Sequence, residues 1–180
     1  MRGGWKDFIL ALAGVRDIMS TLGLGFTSHK LLKGALAGFV ATAPMSLTML
    51  IGWMLLPGRE KYHLPPRLIT EEIAERVGLE KYLNENQLIA ATIASHFAYG
   101  AAFGSFYALF EQRLLLPARV KGIFAGLAIW AGSYLGWLPA MDVLSPATRH
   151  PWRRNLMMIL AHVVWGVTLG EMTRRLTSSD

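Results

Sequence analysis

The sequence contains no cysteine among its 180 residues. Disulfide bonds, thiolate metal sites and catalytic thiols are therefore excluded. Charged residues are also scarce: Asp, Glu, Lys and Arg make up 17% of the chain, against about 25% in an average soluble protein. Hydrophobic residues make up 53%, and the mean hydropathy is +0.35. This composition is typical of a protein that lies in a lipid bilayer.

Three stretches without a charged residue are long enough to cross a membrane as helices. They are residues 34–58, 86–110 and 122–141. A helix of about 20 residues, rising about 1.5 Å per residue, crosses the roughly 30 Å hydrocarbon core of a bilayer. A fourth uncharged stretch, residues 155–170, is shorter. We assign it as a span because it carries a motif that also occurs in the second span.

That motif has the form His-x-x-aromatic-Gly-x-x-x-Gly. Its two copies are His96-Phe-Ala-Tyr99-Gly100-Ala-Ala-Phe-Gly104 and His162-Val-Val-Trp165-Gly166-Val-Thr-Leu-Gly170. A second motif, Lys-Gly-x-x-Ala-Gly, precedes each copy, at residues 33–38 and 121–126. Two motifs duplicated in the same order predict a tandem repeat whose unit is two spans.

We therefore predict an all-α integral membrane protein, a four-helix bundle built from two tandem two-helix repeats. The first repeat covers residues 32–112 and includes an extramembrane helix at about 66–78, which we expect to cap the bundle. The second repeat covers 113–175, and 176–180 form a polar tail. Residues 1–31 place apolar side chains at helical spacing. They predict an amphipathic interfacial helix rather than a cleaved signal peptide.

The repeat motifs give every predicted span one Gly-x-x-x-Gly pair. Small residues four apart let helix backbones approach closely in lipid. We expect close packing at these pairs: Gly34/Gly38, Gly100/Gly104, Gly122/Gly126 and Gly166/Gly170. A fifth pair, Gly132/Gly136, lies in the third span. Glycine faces left over after packing within the chain would favour a homodimer.

His96 and His162 share the helix faces of their glycines, so we expect both imidazoles inside the bundle near mid-membrane. Three interpretations are open. In the first, each ring stabilises the bundle through a hydrogen bond to a neighbouring helix, for example to Ser46, Thr48, Tyr134 or a backbone carbonyl freed at Pro44.

The second interpretation is a proton or small-solute pathway, because ionisable groups at membrane depth usually serve function. Tyr99 and Trp165 belong with the histidines in a polar pathway or in packing, and they would flank the ring if a haem is bound. Asp142 is the one acidic residue near a span interior, and an interfacial cap is favoured for it over a proton relay. In the third interpretation His96 and His162 ligate a b-type haem between the second and fourth spans. Apart from this haem b alternative, no cofactor is predicted.

The sequence lacks a Gly-x-Ser-x-Gly motif, a His-Glu-x-x-His motif, a phosphate loop and paired intramembrane carboxylates. We therefore predict no catalytic residue and no metal site, and an enzyme is disfavoured. The net charge of +6 comes from basic residues at the ends of the apolar runs. The expected partners are thus the lipid bilayer and its anionic headgroups, not nucleic acid.

The two Lys-Gly-x-x-Ala-Gly motifs, the segment from His96 to Gly104 and the segment Ala161-His162-Val-Val-Trp165-Gly166 resemble a known family. This family comprises small bacterial inner-membrane proteins typified by YagU, with related four-span domains of unknown function. The resemblance covers about residues 32–175. It implies a four-helix fold in the bacterial inner membrane and carries no catalytic assignment. Lys and Arg are more numerous on the side of the termini, which predicts cytoplasmic termini.

Overall fold

The computed structural model describes residues 28–178, which form helices and turns and contain no strand. The helices are α1 (Ser28–Leu55), α2 (Pro65–Arg76), α3 (Glu85–Phe110), α4 (Ala118–Ala131) and α5 (Trp152–Thr177). Helix α4 continues through a π-helical stretch, Gly132–Trp137, into a last α-helical turn, Leu138–Ala140.

Within the described residues, four helical stretches are long and apolar enough to cross a membrane: His29–Leu55, Glu85–Arg113, Ala118–Ala140 and Trp152–Thr177. This confirms the expectation of an all-α, multi-pass membrane protein. A short helix, α2, lies where the extramembrane helix is predicted, and its position outside the membrane stays a prediction. It begins at Pro65, a residue suited to the first helical turn, and ends before Gly78, whose φ of +71° is easily adopted only by glycine.

Two predicted boundaries differ from the structure. Helix α1 begins at Ser28, within the segment that was assigned to the interfacial helix. The rest of that predicted interfacial helix lies outside the described residues. Helix α5 extends beyond 155–170 at both ends and includes Arg154 and Glu171. Arg174 and Arg175 bond the carboxylate of Glu171, which places a compact charged cluster at the end of the span.

Two helix pairs approach closely at glycines. In the α1–α3 pair, Gly34 and Gly38 lie against the backbone of Gly100 and Gly104; in the α4–α5 pair, Gly122 and Gly126 lie against that of His162, Gly166 and Gly170. A Cβ atom added at Gly38 would meet the Gly100 carbonyl oxygen and lie 2.9 Å from the Gly104 Cα. The two pairs therefore use corresponding glycines of the two motifs, while the tandem repeat itself stays a prediction.

The fifth glycine pair of the sequence does not serve packing. A Cβ atom added at Gly132 or Gly136 would have no atom within 4 Å among the described residues. Both glycines belong to the π-helical stretch, and Gly136 has non-helical backbone angles, φ −112° and ψ −107°. These glycines thus accompany a local change in the helix and not a helix contact.

The bundle is closed on three sides and open on the fourth. Helix α1 packs closely against α3 and α5, and α4 packs closely against α5, whereas α3 and α4 diverge. The buried core follows the α1–α5 contact and consists mainly of Ala37, Ala41, Met45, Met49, Met157, Met158, Ala161, Trp165 and Leu169. The divergence of α3 and α4 leaves a lateral cleft between these two spans.

Arg154 ties the loop between α1 and α2 to the start of α5. Its side chain is 3% exposed, and its guanidinium donates hydrogen bonds to the carbonyls of Glu60, Tyr62 and His63 at 2.9–3.1 Å. The guanidinium also lies 3.5 Å above the centre of the Tyr62 ring. A buried cation with this many acceptors fixes the loop that leads into α2.

Candidate functional site in the lateral cleft

The cleft between α3 and α4 contains two cavities, which we name the upper and lower chambers. The two loops that join α1 to α2 and α4 to α5 define the loop side of the bundle, and the ends of α3 and α5 define the terminal side. The upper chamber is nearer the loop side, and the lower chamber is nearer the terminal side. The upper chamber has a volume of about 300 Å³. Its walls are mostly apolar, with polar side chains from Thr42, Thr70, Ser95, His96, Tyr99, Ser133, Tyr134 and His162.

His162 lies on the α5 wall of the upper chamber and is 5% exposed. Its Nδ1 is 2.7 Å from the carbonyl oxygen of Met158, one turn earlier in the same helix. Because a carbonyl can only accept, Nδ1 carries the hydrogen, and Nε2 of the neutral ring is left as a hydrogen-bond acceptor. Tyr134 packs edge-on against this ring, with the ring centres 6.0 Å apart.

His96 lies on the α3 wall of the same chamber. Its Nε2 is buried and has no hydrogen-bond partner among the described residues. Neither histidine ring makes a hydrogen bond to another helix within residues 28–178, so the predicted bonds to Ser46, Thr48 and Tyr134 are not found. The structure therefore brings both rings to one cavity and does not use their nitrogens to join helices.

The two aromatic residues of the duplicated motif also line the upper chamber. The Tyr99 hydroxyl lies 2.9 Å from the Ser133 hydroxyl, and this Tyr99–Ser133 bridge joins α3 to the π-helical stretch that follows α4. Trp165 is almost fully buried and donates from Nε1 to the Gly38 carbonyl at 3.3 Å. The π-helical stretch brings Ser133 and Tyr134 to the cleft. The sequence gives no prediction for Ser133, and it predicts Tyr134 only as a hydrogen-bond partner of a histidine.

Asp142 is not part of this site. It lies in the turn that follows α4, with φ +54°, and it is not among the residues that line either chamber. Its backbone carbonyl accepts a hydrogen bond from Arg76 of α2 at 2.9 Å. Asp142 itself is exposed, whereas Val143 and Leu144, which follow it, are buried in the core. Its role, as an interfacial cap or in a proton relay, stays a prediction.

Helix α2 covers the loop-side end of the upper chamber, and we call it the lid. Pro66, Ile69, Thr70 and Ile73 of the lid line the chamber. The Thr70 hydroxyl lies 3.3 Å from that of Ser95 on α3, beside His96. At the other end of the lid, the Arg76 guanidinium donates to the backbone carbonyls of Met141 and Asp142. The lid thus spans the cleft from α3 to the turn after α4.

The lower chamber continues the cleft toward the terminal side and has a volume of about 480 Å³. Its walls are dominated by aromatic and aliphatic side chains: Phe103, Phe106, Phe110, Leu114, Phe124, Ala125, Ala128 and Ile129. Four residues line both chambers, namely Phe103, Ile129, Ser133 and Trp137, so the chambers adjoin at the Tyr99–Ser133 bridge.

An ion pair closes the terminal end of the lower chamber. Lys121 Nζ lies 2.8 Å from a carboxylate oxygen of Glu111 and 2.7 Å from the Glu111 backbone carbonyl. Both side chains are mostly buried. The lysine of the second Lys-Gly-x-x-Ala-Gly motif therefore marks the end of the cleft, which no sequence pattern indicated.

The described residues contain no cluster of three or more His, Asp or Glu side chains that could hold a metal ion. Bis-histidine haem ligation requires two histidines that face one cavity, and His96 and His162 meet this requirement. Haem b ligation stays a prediction.

One protein-family model matches this chain, described as "Protein of unknown function (DUF1440)", over residues 45–170. The match extends from the middle of α1 to near the end of α5 and includes both histidine motifs. It confirms the expectation of a domain family of unknown function, while the narrower resemblance to YagU stays a prediction. No curated protein and no solved structure matches the chain.

Proposed function

The chain belongs to this DUF1440 family, and we propose that it is a non-enzymatic inner-membrane protein, with cytoplasmic termini, that binds a small amphiphile from the bilayer. The upper chamber is the binding site, and His96 and His162 hold the polar group of the ligand. The observation that carries the proposal is that two histidines from different helices line one mainly apolar cavity, which lies on the open side of the bundle.

The composition of the upper chamber supports a small-molecule site. Such sites are usually apolar cavities of about 300–1,000 Å³ with a few polar groups that fix the orientation of the ligand. Here the buried Nε2 of His96 has no hydrogen-bond partner in the part of the chain that the structure describes. A buried polar atom without a partner costs about 1–3 kcal/mol. A ligand that bonds this nitrogen recovers part of that cost.

The same geometry favours ligand binding over two of the three roles considered for the histidines, helix packing and a proton pathway. A role in joining helices needs hydrogen bonds between helices, and neither ring makes one within residues 28–178. A proton pathway needs polar groups that lead to water on both sides of the membrane. Below the Tyr99–Ser133 bridge, the cleft is lined mainly by aromatic and aliphatic side chains.

The proposal is tested by quenching of tryptophan fluorescence with 6-bromohexanol in the detergent-purified protein. Trp137 and Trp165 line the upper chamber, so a bound bromine atom lies near both indoles. We expect saturable quenching. The half-saturating concentration should rise about fivefold in His96→Ala and in His162→Ala, because each substitution removes a hydrogen bond worth ~1 kcal/mol.

His29→Ala is the matched control, since His29 is exposed at the start of α1. 1-Bromohexane, which lacks the hydroxyl group, should quench equally in all variants. Equal half-saturation in the wild type and both chamber variants would overturn the proposal. A visible absorption band of bound haem that disappears in both variants would replace it with bis-histidine haem ligation.

A further inference from the structure

We infer that the ligand is a single-chain lipid with an uncharged O–H headgroup, bound with its head at the histidines and its chain in the lower chamber. This inference rests on the proposed function and names the class of ligand. Long-chain alcohols and protonated long-chain acids share this chemistry. Three features of the cleft carry the inference: the polarity of the head site, the absence of charge around it, and the length of the groove below.

The head site calls for a hydrogen-bond donor. The bond from His162 Nδ1 to the Met158 carbonyl leaves Nε2 as an acceptor, so the group that pairs with it has to carry a hydrogen. The hydroxyl groups of Tyr99, Ser133 and Ser95 can each donate or accept, and all three side chains line the chamber. A hydroxyl or protonated carboxyl group can donate its hydrogen to His162 Nε2 and can also bond these hydroxyl groups.

The head of the ligand is uncharged. Of the residues 28–178 that line the upper chamber, none is Lys, Arg, Asp or Glu. Burying a phosphate or a carboxylate anion without a counter-charge costs several kcal/mol. Phospholipid headgroups are therefore excluded from this chamber.

The lower chamber suits the hydrocarbon chain. Between His96 and Phe110 helix α3 advances about 21 Å, at about 1.5 Å per residue. One leaflet of the hydrocarbon core measures about 15 Å, half of the roughly 30 Å core. The groove below the histidines is therefore longer than one leaflet of the hydrocarbon core and has room for an extended chain of that length. The Tyr99–Ser133 bridge narrows the junction between the chambers, which favours one chain over two.

The polar end of the cleft lies on the loop side and its apolar end on the terminal side, so a bound lipid points its head toward the lid. The head site lies directly under the amphipathic lid, because Thr70 of the lid contacts Ser95 beside His96. The chain then points away from the lid toward Lys121 and Glu111. A lipid that enters sideways between α3 and α4 brings its headgroup to the histidines without passing it through the protein.

The inference is tested by photolabelling with a twelve-carbon alcohol that carries a diazirine at the end of its chain. Labelled peptides are mapped by mass spectrometry. We expect label on residues 103–110 and 124–132, which form the lower chamber, and displacement by dodecanol at a tenfold or more lower concentration than by its methyl ether. The methyl ether keeps the chain and lacks the O–H hydrogen.

Filling the lower chamber should block the chain. Ala128 lines this chamber, and Ala128→Leu should reduce the labelling at least tenfold. Ala102→Leu is the matched control, because Ala102 is exposed on α3 and lines neither chamber. Quenching by 6-bromohexanol should persist in Ala128→Leu, which shows that the filled variant is folded and that its head site is intact.

Two outcomes would overturn the inference. One is label spread over the outward residues of α1 that dodecanol does not displace, and the other is equal labelling of Ala128→Leu and Ala102→Leu. In either case, histidine-dependent quenching by 6-bromohexanol would still support the proposed function. If that quenching is also absent, the proposed function fails as well.

Discussion

The close contact between α1 and α3 predicts that a single methyl group at Gly38 destabilises the protein. In Gly38→Ala the new Cβ meets the carbonyl oxygen of Gly100 and lies 2.9 Å from the Gly104 Cα and 3.0 Å from the Gly100 carbonyl carbon. All three atoms belong to the backbone, so no side chain can rotate away. The helices have to separate, and overpacking of this kind costs about 1–3 kcal/mol.

The α4–α5 contact predicts the same result for the corresponding glycine. In Gly126→Ala the added Cβ meets the carbonyl oxygen of His162 and lies 3.1 Å from its carbonyl carbon. Gly132→Ala is the control within the same span, because an added Cβ there has no atom of residues 28–178 within 4 Å. Alanine is favoured over glycine in a helix by up to about 1 kcal/mol. The control should therefore be as stable as the wild type or more so.

The assay is thermal unfolding in detergent, followed by loss of the folded protein on size-exclusion chromatography. We expect lower midpoints for Gly38→Ala and Gly126→Ala and an unchanged or higher midpoint for Gly132→Ala. Equal midpoints for all three variants would refute the argument that the repeat glycines, and not glycines in general, hold the helix pairs together.

Three further predictions concern the loop side. Arg154→Met leaves the Glu60 and His63 carbonyls without their side-chain donor and the Tyr62 carbonyl with only the Trp53 indole N–H. It should lower stability by at least about 2 kcal/mol, measured by thermal unfolding, with Arg154→Lys less affected. Burial, together with the nearby Arg154, lowers the pKa of His150, whose neutral ring accepts a hydrogen bond from the Tyr62 hydroxyl. His150 therefore binds a proton more readily in the unfolded chain than in the folded one. The stability that its neutral ring contributes above about pH 6.5 is lost as the pH falls toward the lowered pKa. His150→Gln should reduce the drop in melting temperature between pH 7 and pH 5. Arg76→Gln removes the hydrogen bonds from the lid to the carbonyls of Met141 and Asp142. Amide hydrogen exchange in α2 should then become about fivefold faster, equivalent to ~1 kcal/mol. Unchanged exchange would mean that these bonds do not hold the lid.

Most of the fold can be predicted from sequence because lipid imposes simple requirements on the chain. Uncharged runs of sufficient length predict three of the four spans, and the repeated histidine motif predicts the fourth. The positions of Pro65 and Gly78 predict the lid helix. The glycine positions also indicated where backbones approach. These features depend on local composition and spacing, which the sequence displays directly.

The cleft could not be predicted, because it depends on how four helices pack together. The glycine motifs are present in both halves of the chain, yet α1 packs closely against α5 while α3 and α4 diverge. Gly132 and Gly136 have the spacing of a packing motif but lie in a π-helical stretch with open space around them. Spacing alone does not tell these two uses of glycine apart.

The polar residues show the same limit. The duplicated motif identified His96, Tyr99, His162 and Trp165, and all four line the upper chamber. The burial of Arg154 could not be predicted, because its sequence neighbours are typical of the basic end of a span. In the structure its side chain is buried among loop carbonyls. Long-range contacts of this kind appear only when the loop and the helix are placed together.

Native mass spectrometry of the protein released from lipid nanodiscs, with single-chain alcohols added to the bilayer, tests the central claim most directly. The wild type and Ala102→Leu should retain one alcohol molecule per chain, and His162→Ala and Ala128→Leu should retain at least fivefold less. The same retention in all four proteins would contradict the account of the cleft as a lipid-binding site.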